Sequence, residues 1–347
     1  MQVLIICKVI DNFGDAGVCL RLARAITKQG HSVTLLHNDT AAFSKLLERH
    51  PPGHLTLLHA LDETYSPEHL PVPELIVEPF GTSSEQLEHR YEVPLKVRFP
   101  DCPWVLLDYL SAEAWVADFH KGQSVDPRSG HRVTYFYPGF GDRTGGVIHC
   151  DAPTVGCDVM PWIKNPLKLF VFCYANAPVT ALMAASKASG DEVGFAGACG
   201  RRFELPHHWL ELPFCPQIEF DDRLAAHDVL FVRGEDSFVR AQLAGKPFVW
   251  QIYPTDDGAH GLKLRAFFDR YSADWGTSER ETLWRLWQLW NGLIEQDDFV
   301  SAWLELRPHL PTLHRHAMRW RETLLKGPDL VKELLTWRDQ QSPTFGK

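Results

Sequence analysis

The stretch Val229-Leu230-Phe231-Val232-Arg233-Gly234-Glu235-Asp236-Ser237-Phe238 constrains the chain most. Four apolar residues of strand character break at Arg233-Gly234. Glu235-Asp236-Ser237 then opens a helical spacing through Phe238, Ala241 and Leu243 to Gly245. A strand ending on a helix N-terminus is the joint of open α/β sheets, and such ends face the ligand crevice. The free N–H groups of the first helical turn, aided by the helix dipole, suit an anion such as a diphosphate, to which Arg233 and Ser237 add donors. Glu235 and Asp236 would repel a diphosphate, so they suit hydroxyls or a base edge. Together these residues favour a sugar nucleotide over a bare phosphate.

The N-terminus repeats the joint. Residues 3–9 are mostly apolar, Asp11-Asn12-Phe13-Gly14-Asp15 is a polar turn, a helix covers about 17–29 before Gly30, and a second strand covers 31–36. A β-α-β start predicts a parallel sheet with helices on both faces. Further strands are expected at 75–77, 104–107 and 133–137, with helices near 41–48 and 83–91. Residues 151–166 carry three prolines and no period, which marks a linker. A second series follows: a strand at 167–174, a helix at 179–189, and strands at 192–195, 210–213, 229–232 and 248–253. From Gly258 onward the chain reads as helical, with Trp284, Trp287 and Trp290 on one packed helix face. The expected fold is α/β, with two Rossmann-like domains facing across a cleft, the architecture of GT-B glycosyltransferases. They cover 1–160 and 161–325, and a last helix, 326–347, returns to the first domain.

A length of 347 residues suits two domains, and 45% hydrophobic residues supply a core for each. The formal net charge of -9 argues against nonspecific binding to nucleic acid or to an anionic membrane surface, and admits a basic protein partner. The eight cysteines form no C-x-x-C pair, which fits a reduced, cytoplasmic, disulfide-free chain. The apolar start lacks a cleavage-site pattern, and no run approaches the roughly 20 apolar residues of a membrane helix.

At the first joint, Asp11 and Asp15 lie four apart in a tight turn. Each alone suits a cap, and the pair suits the holding of a cation. The glycines there lack the G-x-G-x-x-G order, so NAD binding is not expected. Phe172 and Tyr174 end one strand, and Phe214, Gln217 and Phe220 follow another. Aromatic residues at strand ends serve either as core or as a stacking surface for a base, whose edge a glutamine can read. His207-His208 and His314/His316 have no partner at ligand spacing, and Asp256-Asp257 reads as a solvated cap, so no metal is assigned. No Walker loop or G-x-S-x-G motif occurs.

The blocks DNFGDAGVCLRLARAI, FCY, FCPQIEFD and VRGEDSFVRAQLAGKPFVWQIYP, in this order and spacing, resemble the bacterial protein-arginine rhamnosyltransferases that modify elongation factor P, the EarP family. The resemblance implies a metal-independent, cofactor-free, inverting transferase. Its donor would be dTDP-β-L-rhamnose and its acceptor the guanidinium of one arginine on folded elongation factor P. Carried over by position, Asp15, Asp11 and Glu235 form the catalytic set. Phe172, Tyr174, Phe214, Gln217, Phe220, Arg233, Asp236, Ser237 and Tyr253 fall on donor positions. The rival expectations are a transferase of the same fold acting on a lipid or glycan, and a non-catalytic module that docks on a translation factor.

Overall fold

The structure, a computed structural model, describes residues 1–10, 13–47, 52–59, 66–81, 93–126, 130–153, 166–199, 202–255, 258–295 and 298–341. The chain divides into two compact units, one of Met1–Asp151 with Gly327–Lys347 and one of Ala152–Lys326.

Among the described residues the first unit is built on seven strands: β1 (Gln2–Cys7), β2 (Ser32–His37), β3 (Leu55–His59), β4 (Leu75–Pro79), β5 (Trp104–Leu107), β6 (Gln123–Val125) and β7 (Arg132–Phe136). Their order is β3-β2-β1-β4-β5-β7-β6, parallel throughout except that β6 runs antiparallel to β7. Successive β1 side chains feed opposite layers, as the strand period requires. Val3, Ile5 and Cys7 pack with Leu20, Ala23 and Ile26 of the helix Phe13–Lys28 and with Leu334 and Trp337 of the last helix, Leu330–Gln340. Leu4 and Ile6 pack with Ile76, Leu95 and Trp104. Burial on both faces explains why β1 reads as a continuous apolar run. Asp329 ties down the last helix. One carboxylate oxygen caps it at Lys332 N–H (3.0 Å), and the other accepts from the N–H groups of His149 (2.9 Å) and Cys150 (2.8 Å).

Among its described residues the second unit carries five parallel strands: β8 (Lys168–Tyr174), β9 (Glu192–Cys199), β10 (Trp209–Glu211), β11 (Val229–Arg233) and β12 (Phe248–Gln251), in the order β10-β9-β8-β11-β12. The helix Val179–Ser189 falls where its spacing predicts. In the helix Thr277–Trp290, Trp287 and Trp290 are fully buried, while Trp284 is half-buried against Phe268 with Arg265 over its ring.

Some boundaries differ from the sequence reading. β1 stops at Cys7, because beyond it Val9 N–H turns to the Asn38 side chain (2.8 Å) instead of a ladder partner. The first helix begins at Phe13, not near 17, so Asp15 lies within its first turn. β12 ends at Gln251, two residues earlier than expected. β3 and β6, both edge strands with exposed or half-buried residues, were not expected. The helix expected at 83–91 lies outside the described residues. Among the described residues no helix is long and apolar enough to cross a membrane.

Candidate active site

β11 is buried along its whole length between β8 and β12. It breaks at Gly234, whose φ of +64° is the left-handed conformation that glycine adopts without a side-chain clash. Gly234 N–H donates to the Gln251 carbonyl (3.2 Å), and its own carbonyl accepts the Trp250 indole N–H (2.8 Å). Trp250 in turn stacks on Phe238, with ring centroids 3.8 Å apart, which locks turn and helix to β12. The helix Asp236–Leu243 starts immediately after Glu235. Its first-turn N–H groups have no acceptor within the helix and form the natural anion site of this turn. The Ser237 hydroxyl donates to the Arg233 carbonyl, so its proton serves the turn and its oxygen remains an acceptor.

Arg233 is 3% exposed, and its guanidinium lies over two rings, 4.6 Å from the Phe172 centroid and 4.5 Å from that of Tyr174. Phe220 meets Phe172 edge-on (6.0 Å) and Phe170 likewise (5.7 Å). Tyr253, about half exposed, meets Tyr174 edge-on at 5.5 Å. Gln217 is buried and donates from Nε2 to Asp236 Oδ2 (3.1 Å), which draws that carboxylate aside. The second unit therefore brings Phe172, Tyr174, Phe220, Arg233 and Tyr253 into one chain of contacts, with Gln217 and Asp236 as a pair. Phe214 is exposed, and Glu235 is half-buried immediately before the helix. Beneath the site, Arg240 and Asp221 form a bidentate ion pair, Nε to Oδ1 at 2.8 Å, that joins the helix Asp236–Leu243 to the helix Phe220–Ala225.

Asp15 belongs to the first unit. It is 3% exposed, and its Oδ2 accepts the Ile10 N–H at 2.8 Å, so the carboxylate ties the entering chain to the helix. Asp11 lies outside the described residues, as do Asp256 and Asp257. Among the described residues no group of three or more His, Cys, Asp or Glu is arranged to hold a metal ion. His208 pairs with the Ser186 hydroxyl (3.0 Å), and His316 faces the Arg319 guanidinium (2.8 Å).

The sequence reading passed over Gln251, Trp250 and the Arg240–Asp221 pair. The available signal was polar character in buried elements: a glutamine ends the apolar strand FVWQ, and an arginine stands mid-helix between Val239 and Ala241.

Two doubly wound, largely parallel sheets, one with an aromatic-lined strand end running into a helix N-terminus, are the architecture of the GT-B class. Solved structures agree on the fold. The spinosyn rhamnosyltransferase SpnG is similar at a TM-score of 0.60 and 13% identity, covering 97% of this chain and 100% of its own. The glycosyltransferase VinC, solved in complex with dTDP, is similar at 0.59 and 12%, covering 98% and 100%. A structure described as the basis for EarP-mediated arginine glycosylation of translation elongation factor EF-P matches at 0.55 and 24%, covering 98% and 99%. The profile of the Elongation-Factor P (EF-P) rhamnosyltransferase EarP matches residues 3–154 and 196–339. The protein-arginine rhamnosyltransferase of Pseudomonas putida is 31% identical over 95% of this chain and 97% of its own. One from Neisseria meningitidis is 33% identical over 76% and 77%. The chain belongs to the EarP family of elongation factor P rhamnosyltransferases, and it is an enzyme of that class.

Proposed function

We propose that this enzyme moves rhamnose from dTDP-β-L-rhamnose to the guanidinium of one arginine on elongation factor P, with inversion at the anomeric carbon and without a metal ion, in the cytoplasm. The observation that carries the donor side is the β11 turn, where Arg233 lies against Phe172 and Tyr174 at the N-terminus of the helix Asp236–Leu243. Ring faces attract a buried guanidinium and repay part of its desolvation. With the helix dipole it suits a diphosphate, the part a metal plays in other transferases. Phe220, half-buried, offers ring surface to the base, while Tyr174 lies beneath Arg233; Gln217 with Asp236 offers polar groups to a base edge or a sugar hydroxyl. The acceptor side rests on family membership and on the similarity to the protein-arginine rhamnosyltransferase of Pseudomonas putida.

A guanidinium loses its proton only above about pH 12, so a carboxylate does not deprotonate it in advance. Asp15, with Asp11 beside it in sequence, holds the acceptor by charge-assisted hydrogen bonds and presents one nitrogen to the anomeric carbon. As the C–N bond forms, the bond from that carbon to the diphosphate oxygen breaks. The nitrogen's proton passes to the carboxylate, and dTDP leaves with the electron pair. Glu235, at the start of the helix, completes the catalytic set. Displacement from the face opposite the leaving group inverts the centre.

The test is incubation of the purified protein with folded elongation factor P and dTDP-rhamnose in excess chelator, read by intact mass and fragment mapping. One rhamnose on one arginine is expected. An unmodified acceptor overturns the reading, and activity that appears only on adding magnesium overturns its metal-free part.

A further inference from the structure

We propose that Gln251, whose flanking residues Trp250 and Ile252 are held by Asn291, is a positioning residue for the donor. Resting on the donor reading above, the proposal assigns Gln251 the task of fixing Tyr174 and the Gly234 turn relative to each other. Gln251 is 1% exposed and ends β12, paired in register with Arg233. Its carbonyl accepts the Gly234 N–H at 3.2 Å, so its main chain sets the first residue after β11. Its side chain reaches further. Oε1 accepts the Tyr174 N–H at 2.7 Å, and Nε2 donates to Asn176 Oδ1 at 3.0 Å. β12 and β8 are not neighbours, because β11 lies between them. One carboxamide therefore crosses the end of β11 and staples together the three strand ends that carry Tyr174, Arg233 and Tyr253.

Asn291 makes this possible from the other side of β12, the edge of the sheet. It follows the helix Thr277–Trp290, donates from Nδ2 to the carbonyls of Trp250 (2.8 Å) and Trp287 (2.8 Å), and accepts the Ile252 N–H on Oδ1 (3.0 Å). A carboxamide that engages the residues on both sides of Gln251 copies a neighbouring strand, and it keeps β12 extended through the point where the Gln251 side chain must turn inward. Phe248, Val249 and Trp250 show that an apolar residue would satisfy burial here. A buried amide satisfied at both ends costs rotamer freedom and hydration, and its return is fixed geometry at the strand ends.

The test uses the full-length protein and dTDP by calorimetry, with donor and acceptor KM measured separately. Gln251→Met keeps length and apolar bulk but removes both amide bonds. It is expected to weaken dTDP binding and raise the donor KM about tenfold, the scale of one lost buried hydrogen bond, with acceptor KM and kcat within about twofold. Gln251→Glu, which keeps an acceptor for the Tyr174 N–H, should recover part of the loss. Asn176→Ala alters an exposed position and removes only the partner of Gln251 Nε2; about threefold weaker binding is expected, and this variant decides the matter if Gln251→Met does not fold. A folded Gln251→Met or an Asn176→Ala that binds dTDP as the parent does, whatever its loss of thermal stability, overturns the proposal and leaves the donor reading intact. A parent that does not bind dTDP overturns the donor reading and this proposal with it.

Discussion

Replacing Asp221 by asparagine keeps the shape of the Arg240 partner but deletes its charge. Arg240 is 0% exposed on its side chain and Asp221 18%, and the contact is bidentate. The guanidinium stays ionised in any folded protein, since its pKa exceeds about 12. Asp221→Asn therefore takes from a buried cation the carboxylate that holds it bidentately, a loss in the range of about 3–5 kcal/mol for breaking a buried pair. Because water reaches the Asp221 end, the lower figure applies. At about 2–4 °C per kcal/mol for a domain of this size, Asp221→Asn should lower Tm by roughly 6–12 °C. The converse change, Arg240→Met, removes the buried charge and leaves a carboxylate that can hydrate, so its cost should be about 1–2 kcal/mol. Combining Arg240→Met with Asp221→Asn should cost no more than about 1 kcal/mol beyond Arg240→Met alone, because the buried cation is gone. Urea unfolding of the parent, both single variants and the double variant completes the cycle. If Asp221→Asn proves milder than Arg240→Met, the assignment of the cost to the stranded guanidinium is wrong.

Asp15→Asn should cut rhamnose transfer by at least about a hundredfold while leaving dTDP affinity and the circular dichroism spectrum unchanged. Transfer within a few-fold of the parent would leave Asp15 a structural role alone, such as its bond to the Ile10 N–H. Phe220→Ala should weaken dTDP binding by about 1–3 kcal/mol in calorimetry, the worth of one base–ring stack. Tyr174→Ala should weaken it by removing a ring that lies against Arg233, and parental affinity in both would make those rings packing alone. Burial, the largest cause in each case, holds His37, His120 and His314 at about 4, below the ordinary 6.5. The unfolded chain takes up these protons near 6.5 and the folded chain only near 4. Stability should therefore be full above 6.5 and decline as pH falls toward 4, so a urea midpoint at pH 5 equal to or above that at pH 7 would contradict the burial argument.

The two strand-to-helix joints were legible because each switches from an apolar run to helical spacing within a few residues, a change that local chemistry alone produces. β3 and β6 were not. Edge strands are covered on fewer sides, so the residues of Leu55–His59 and Gln123–Val125 lack the unbroken apolar run that marks β1, β8 and β11. The start of the first helix was misplaced because glycine-rich FGDAG reads as a turn, whereas in the fold the Asp15 carboxylate reaches back to Ile10 and stabilises a helix beginning at Phe13. Gln251 was invisible for another reason. Its side-chain partners, Tyr174 and Asn176, stand 77 and 75 residues away, and only the strand order brings them within reach.

Arg233 shows how the fold alters the meaning of a residue that the sequence had already singled out. Beside Gly234 it reads simply as a donor to phosphate, a role any mobile surface arginine could fill. In the fold Phe172 and Tyr174, two apart on β8, both lie against its guanidinium, and the residue is almost wholly buried. The rings lie against the cation and repay part of its desolvation. Gln217 meanwhile donates to the Asp236 carboxylate at the start of the following helix. Electrostatic stabilisation of a leaving group gains most when the stabilising charge is preorganised and dry. Packing and chemistry at this turn therefore rest on the same contacts, and a substitution that loosens the aromatic clamp should weaken diphosphate binding even where the arginine itself is untouched.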